Sequence, residues 1–153
     1  MKLPHLFLFL LQLAALAAPA AAEIRAGASK VDITDRSGLV NDPLFAKALV
    51  LKSDTTTLVL ITLDVVAIGE IGRIKNDFLG NVRAQLSREL GIPPSSVVIN
   101  ASHCHGLPRA DTEQLTVNAA KEAWLRLAPA KVGAGTGHEM RISENRRLKM
   151  KDG

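Results

Sequence analysis

TLVLITLD, residues 57–64, is the most informative stretch for the fold. It is a mainly apolar run with the length of a single strand, more hydrophobic than the run before it, and we expect this strand to be buried on both faces. The preceding run AKALVLK, residues 46–52, predicts another strand, and the segment 53–55 between them has the composition of a tight turn. We therefore predict a β-hairpin over residues 46–64.

The chain after this hairpin predicts a long helix and a further strand. Apolar residues recur every three or four positions over residues 70–90, forming one apolar stripe along a helix of about six turns. Gly91 and the Pro93-Pro94 pair would end that helix. The run SVVINA, residues 96–101, then predicts a buried strand. A hairpin followed by a helix and a strand is typical of mixed α/β layers.

The remaining segments complete this α/β pattern. Residues 24–34 alternate apolar and polar side chains and predict an irregular first strand. A second helix is predicted over residues 112–127, opened by Asp111 with Gln114 as a capping-box variant. Residues 130–135 predict a short last strand. The predicted fold is thus a mixed sheet with flanking helices. The predicted apolar face of the second helix consists of Leu115, Ala119, Ala123 and Leu127.

The first 22 residues have the organisation of a secretory signal peptide. Lys2 precedes an apolar run, and the small residues that follow it suit cleavage after Ala22. The run of about 13 residues is shorter than the roughly 20 that a helix needs to cross a bilayer. We expect a secreted or periplasmic protein whose mature portion begins at residue 23.

The composition argues against a nucleic-acid partner. The formal net charge is only +4, and Lys2 contributes one unit of it. Beyond residue 22 the aromatic residues are Phe45, Phe78 and Trp124, and the chain has no tyrosine. A nucleic-acid binder is expected to carry a strong basic stripe together with aromatic side chains for base stacking. We therefore expect no nucleic-acid partner.

The strongest chemical signal is His103-Cys104-His105, directly after the predicted strand 96–101. Residues i and i+2 of an extended chain point the same way, so both imidazoles could face one cavity. Both could bind Zn²⁺, or one could bind it while the other holds substrate or moves a proton. Polar loop histidines are the alternative, because two histidines at this spacing are a weak motif. A catalytic zinc also needs about three protein ligands, and His138 is better interpreted as a solvated loop histidine.

Two neighbours of these histidines have competing interpretations. Asp64 ends the strand 57–64 and could accept the N–H group of an imidazole, although a strand-ending turn aspartate is favoured. Cys104 is the only cysteine, so the chain has no internal disulfide. Strand alternation directs Cys104 away from both imidazoles, and we expect it to pack as a small side chain.

Six segments in order resemble the N-terminal part of the neutral/alkaline non-lysosomal ceramidase family. They are AGASKVDIT, NDPLFAKALVL, LITLD, ELGIPPSSVVINASHCHG, PAKVGAGTG and ENRRLKMKDG. Together they cover nearly all of residues 24–153. Members of this family are exported or membrane-associated zinc amidohydrolases that cleave the amide of N-acylsphingosine into sphingosine and a fatty acid.

The resemblance implies roles for three residues. His103 would be a Zn²⁺ ligand, and His105 would line the active site and contact the substrate or the water at the metal. Arg146 lies in a segment that resembles the family's Asn-Arg stretch, so it would help to orient the substrate. Residues 106–108, Gly-Leu-Pro, depart from the Ser-Gly-Pro that is usual in the family.

The resemblance also implies that residues 23–153 are the N-terminal, incomplete portion of a larger catalytic domain. The family chain continues for several hundred residues and supplies another His, a Glu and a Tyr to the zinc. We therefore expect this chain to depend on a missing C-terminal part or a partner chain for a complete active site.

Two functions from different classes remain open at this point. The first is zinc-dependent, ceramidase-like hydrolysis of a small lipid-like amide, with transient contact to a membrane surface. The alternative is an exported, non-catalytic binding or structural module that retains the fold.

Overall fold

The structure is a computed structural model that describes residues 23–141 and residue 151. Within these residues the predicted α/β fold, a mixed sheet with flanking helices, is confirmed. A 3₁₀ turn covers Pro94–Ser96. The strands are β1 (Arg25–Asp32), β2 (Phe45–Lys52), β3 (Thr57–Leu63), β4 (Val97–Ala101) and β5 (Ala128–Pro129), and the helices are α1 (Phe78–Leu90) and α2 (Thr112–Leu125).

The five strands form one sheet in the order β4-β3-β2-β1-β5. The predicted hairpin is present as β2 and β3, which pair antiparallel with Leu49 opposite Leu60. β4 pairs parallel to β3, with Leu63 opposite Ala101. A parallel pair requires a long crossover, and α1 lies in that connection. The pairing places the carboxyl ends of β3 and β4 side by side.

The hydrophobic core lies between the helices and one face of the sheet. Alternate residues of β3, namely Val59, Ile61 and Leu63, are fully buried. Leu58 and Leu60, which point to the opposite face, are only half-buried. The prediction that this strand is buried on both faces is therefore wrong for the described residues. Both helices contribute to this core, with buried residues Phe78, Val82, Leu86, Val117, Ala119, Ala120 and Ala123.

Helix α2 lies unusually close to β1. The Ser29 hydroxyl donates a 2.6 Å hydrogen bond to the Ala119 carbonyl of the helix. Next to it, Gly27 faces the Ala123 carbonyl so closely that a Cβ at position 27 would overlap it and would lie 2.9 Å from the Leu127 nitrogen. The absence of a side chain at Gly27 therefore allows this packing.

Helix α1 is shorter than predicted, because it begins at Phe78 instead of residue 70. Gly69, Glu70 and Gly72 all have positive φ angles, which interrupt a right-handed helix. Ile71 is consequently 51% exposed instead of continuing the buried stripe. The predicted end is correct: Gly91 has φ 67° and donates to the Ser87 carbonyl.

Helix α2 begins at Thr112 as predicted, but the predicted capping box does not form. The Asp111 carboxylate instead pairs with Arg109 at 2.7 Å, and Asp111 makes no side-chain cap. The first turn is held by the Thr112 hydroxyl, which donates to the Arg109 carbonyl at 2.6 Å. The helix also buries a different set of residues than predicted: Ala119 and Ala123 are buried, whereas Leu115 and Leu127 are half-buried.

The last strand lies earlier in the chain than predicted. It is β5, which pairs with β1 through Arg25 opposite Pro129 and Ala26 opposite Ala128. Residues 130–135 have no regular structure. Pairing stops just after Pro129, a residue that is confined to edge strands because it cannot donate to the ladder.

The predicted signal peptide, residues 1–22, lies outside the described residues. Among residues 23–141, neither helix is long and apolar enough to cross a membrane.

The contact between Gly27 and α2 gives a test of the packing. Gly27→Ala should lower the free energy of unfolding by about 1–3 kcal/mol, because the methyl group must push α2 away from β1. Urea denaturation followed by circular dichroism measures this loss. Gly38→Ala is the matched control, since no atom lies within 4 Å of a Cβ placed there. Equal stabilities of the two variants would contradict the packing described here.

Candidate functional site

The candidate site lies where β3 and β4 end beside each other. The parallel pairing continues beyond both strands: the Ser102 N–H donates to the Leu63 carbonyl at 2.9 Å, and the Cys104 N–H donates to the Val65 carbonyl at 3.1 Å. The segment 102–105, which carries both histidines, is therefore fixed against the segment that follows β3.

The ring of His103 is held in one orientation. Its Nδ1 lies 2.9 Å from the Val66 carbonyl oxygen. A carbonyl only accepts hydrogen bonds, so Nδ1 is the donor and carries the proton. In the neutral imidazole the Nε2 then has a free lone pair, which is the state of a histidine that binds a metal or accepts a proton.

The His105 ring lies next to that of His103. Their centroids are 5.0 Å apart and the ring planes meet at 87°. The structure thus brings the two imidazoles together, as the spacing predicts, but the backbone is not extended. His103 has φ 62°, a left-handed conformation that is uncommon outside glycine. Such strained residues are concentrated at functional sites.

Cys104 lines the same cleft as His105, so the strand alternation that would direct it away from both imidazoles is not present. It is half-buried and packs against the hydrophobic core. The prediction that it packs as a small side chain is confirmed.

Asp64 does not accept a hydrogen bond from His103, because the N–H group of that ring is directed at Val66. Its carboxylate instead accepts hydrogen bonds from Lys47 and Ser102, each at 3.0 Å, and from the Phe45 N–H at 3.1 Å. Burial alone would raise the pKa of Asp64, but these hydrogen bonds outweigh it and lower the pKa below its usual value. Asp64 therefore joins β2 to the start of the histidine segment.

Arg73 and Asp35 form a second set of contacts that holds the histidine segment in place, and no pattern in the sequence indicated it. We call this pair the Asp35 anchor. The Arg73 guanidinium pairs with the Asp35 carboxylate and donates to the Pro108 carbonyl at 2.9 Å. The Asp35 N–H donates to the Leu107 carbonyl at 3.0 Å. Three separate segments, after β1, before α1 and after His105, are thus held together. No spacing signals this, since Arg73 falls inside the helix predicted over residues 70–90.

The segment His105–Leu107 separates two clefts. The polar cleft, of about 520 Å³, lies toward the segment after β1 and includes Asp35, Asp42 and Cys104 in its lining. The apolar cleft, of about 370 Å³, lies toward the segment before α1 and includes Val65 and Ile71 in its lining. His105 lines both clefts.

Of the two remaining candidate residues, His138 and Arg146, the structure describes only His138. His138 is exposed in the irregular segment that follows β5, and Arg146 lies outside the described residues. Over residues 23–141 and 151, no three His, Cys, Asp or Glu side chains form a group that could hold a metal ion. The roles of His103 as a metal ligand and of His105 and Arg146 in catalysis therefore stay predictions.

The fold is similar to that of solved ceramidases. A ceramidase complexed with C2 matches with a TM-score of 0.57 and 19% identity over 71% of this chain and 22% of its own. A neutral ceramidase from Pseudomonas aeruginosa matches with a TM-score of 0.56 and 19% identity over 72% and 23% of the respective chains. No family model and no curated protein sequence matches this chain.

These comparisons confirm the predicted resemblance to ceramidases at the level of the fold. The chain spans less than a quarter of the length of the solved ceramidases that it matches.

The Asp35 anchor predicts a loss of stability in acid. Hydrogen bonds from Ser37, followed by the contact with Arg73, lower the pKa of Asp35 to about 2. The folded state therefore binds this proton less readily than the unfolded state. Its contribution to stability is complete above the ordinary pKa of 3.8 and is lost as the pH falls toward 2.

Thermal melts between pH 5 and pH 2, values that bracket this range, test the expectation. Asp35→Asn should reduce the drop in melting temperature seen for the unmodified protein. Asp54→Asn, in the exposed turn between β2 and β3, is the control and should retain the full drop. An Asp35→Asn profile parallel to that of the unmodified protein would argue against the anchor.

Proposed function

We propose that this chain takes part in zinc-dependent, ceramidase-like hydrolysis of a linear amide, with N-acylsphingosine as the model substrate. The observation that carries the proposal is the His103 ring: its Nδ1 is held 2.9 Å from the Val66 carbonyl, which leaves Nε2 available beside His105. The similarity in fold to solved ceramidases supports the same assignment.

The donor chemistry of His103 fits a zinc ion. Zn²⁺ binds neutral imidazole nitrogen, and a ligating histidine almost always donates its second N–H to a carbonyl, a carboxylate or water. When bound, Zn²⁺ would polarise the amide carbonyl and lower the pKa of water toward ~7. A catalytic site takes about three protein ligands, so His103 would act together with groups from the rest of a larger catalytic domain.

His105 is proposed as the residue that moves a proton. It is exposed, lies 5.0 Å from His103 between ring centroids, and borders the polar cleft. Release of an amine requires a proton donor within hydrogen-bond reach of the leaving nitrogen, and an imidazole suits this task near neutral pH. Arg146, by its resemblance to the family segment, would orient the substrate.

The location and partners follow from the same proposal. The segment 1–22 supports export to a secreted or periplasmic location. The substrate would be a small lipid-like amide taken up during transient contact with a membrane surface. The remaining zinc ligands would come from a C-terminal part of the domain or from a partner chain.

Hydrolysis of N-acylsphingosine by the native polypeptide, purified from its own source, tests the proposal. His103→Ala should lower the rate by more than about 100-fold, because the metal would be lost. His138→Ala is the matched control: this exposed histidine lies after β5, and its loss should leave the rate unchanged.

Zinc-dependent stability separates the enzyme from the non-catalytic alternative. A zinc site should raise the melting temperature when Zn²⁺ is added, and His103→Ala should abolish that increase while His138→Ala retains it. A binding module would instead show no change in melting temperature on addition of zinc, either for His103→Ala or for the unmodified protein. That result, together with an absence of hydrolysis, would reject the proposed function.

A further inference from the structure

The backbone that follows His105 is fixed on one side by the segment after β1. The Asp35 N–H donates to the Leu107 carbonyl at 3.0 Å, and Thr34 pairs with Pro108 in a short antiparallel bridge. These contacts use main-chain groups, so they form whatever side chain stands at position 73. The fold of this region therefore does not depend on Arg73 alone.

Gly106, the residue directly after His105, lies against the hydrophobic core. A Cβ at this position would come within 2.7 Å of the Leu44 Cδ2 atom, and Leu44 is a core residue that is only 4% exposed. Because core side chains are closely packed, the chain at Gly106 has no room to move toward the core. Movement of this turn is therefore possible only toward the bend of residues 69–75, which precedes α1.

Arg73, in this bend, closes the remaining side. A single nitrogen, Nη1, donates both to the Asp35 carboxylate and to the Pro108 carbonyl, which lies 2.9 Å away. In the part of the chain that the structure describes, the contact with Pro108 is the one hydrogen bond between the bend and the segment after His105. The Asp35 carboxylate is only 14% exposed, and hydrogen bonds between charged groups are the stronger ones.

The bend gives Arg73 a fixed starting point. Gly69, Glu70 and Gly72 adopt positive φ angles, and the Lys75 ammonium donates to the Gly72 carbonyl at 2.8 Å across the bend. A side chain that begins in this closed bend and ends on a carbonyl relates the position of one segment to that of the other.

The His105 ring depends on its backbone for its position. The His103 ring is held by the Val66 carbonyl. The His105 ring makes no hydrogen bond to another described residue and contacts His103 edge to face, with 5.0 Å between the centroids. A displacement of about 1 Å in a reacting group can slow a reaction by about 100-fold. The groups that hold the backbone of residues 105–108 therefore matter for any proton transfer by His105.

We propose that Arg73 is a positioning residue. By holding the Pro108 carbonyl and the Asp35 carboxylate, it fixes the backbone of residues 105–108 and thereby keeps the His105 imidazole beside His103. The inference rests on the proposed function only for its effect on the reaction rate, because the position of the ring can be measured without hydrolysis.

The nuclear Overhauser cross-peak between the ring protons of His103 and His105 tests the proposal in the isotopically labelled full chain. Arg73→Met keeps a stem of similar length without the donor, so this cross-peak should be weakened or lost and the His105 ring signals should shift. The His103 signals should stay in place, because Val66 holds that ring. Arg73→Lys should restore the cross-peak, since one nitrogen makes both contacts and an ammonium also has several donors.

Arg36→Met is the matched control. Arg36 also pairs with an aspartate, Asp32, at 2.6 Å, and its loss should leave both rings unchanged. Circular dichroism shows whether each variant has folded. If Arg73→Met does not fold, Asp35→Asn takes its place, because it removes the charged partner of Arg73 and should also shift the His105 signals.

The kinetics of N-acylsphingosine hydrolysis by the native polypeptide give the second measurement. Arg73→Met should lower kcat about tenfold with little change in KM, because a displaced proton donor slows the chemical step and not binding. Arg73→Lys should recover most of the rate.

An unchanged cross-peak in Arg73→Met, an equal loss in Arg36→Met, or no recovery in Arg73→Lys would overturn the inference. A displaced His105 ring in Arg73→Met, together with no hydrolysis by the unmodified protein, would reject the proposed function alone. Hydrolysis by the unmodified protein, together with an undisplaced ring in Arg73→Met, would reject the role of Arg73 alone.

Discussion

The parallel pairing of β3 with β4 determines where the polar groups of the candidate site lie. Because Leu63 is opposite Ala101, the segments that follow β3 and β4 leave the sheet at the same edge. They remain hydrogen-bonded to each other beyond the strands. The Val66 carbonyl, which fixes the His103 ring, lies in the segment after β3, and His103 lies in the segment after β4. A shift of one residue in this register would separate the carbonyl from the ring and turn the apolar side chains of β4 away from the core.

Two charged anchors hold the surroundings of this edge. Asp64 links Lys47 of β2 to Ser102 at the start of the histidine segment. Arg73 links Asp35 to Pro108 at the end of that segment. The carboxylates of both anchors are largely shielded from solvent. Their hydrogen bonds therefore fix backbone positions, whereas isolated ion pairs on an exposed surface contribute little to stability. The strained φ of His103 is maintained between them.

The elements with strong hydrophobic periodicity could be predicted from the sequence. The β2–β3 hairpin, the strand β4 and the end of α1 at Gly91 agree with the patterns of the chain. The start of α1 could not be predicted, because Ile71 satisfies the helical stripe while the glycines beside it adopt positive φ angles. Likewise, the spacing of the two histidines predicts that they meet, but not that a main-chain carbonyl fixes His103. Contacts between distant segments, such as Arg73 with Asp35, have no local signal.

The most direct test of this account is the protonation state of the His103 ring. Long-range ¹H–¹⁵N correlation spectra of the labelled protein at neutral pH distinguish the two imidazole nitrogens. We expect a protonated Nδ1 and an unprotonated Nε2 for the neutral ring, with the Nε2 signal displaced when Zn²⁺ is added. A proton on Nε2 of the neutral ring would contradict the account, and so would an Nε2 signal unaffected by zinc when the rest of the larger catalytic domain is present.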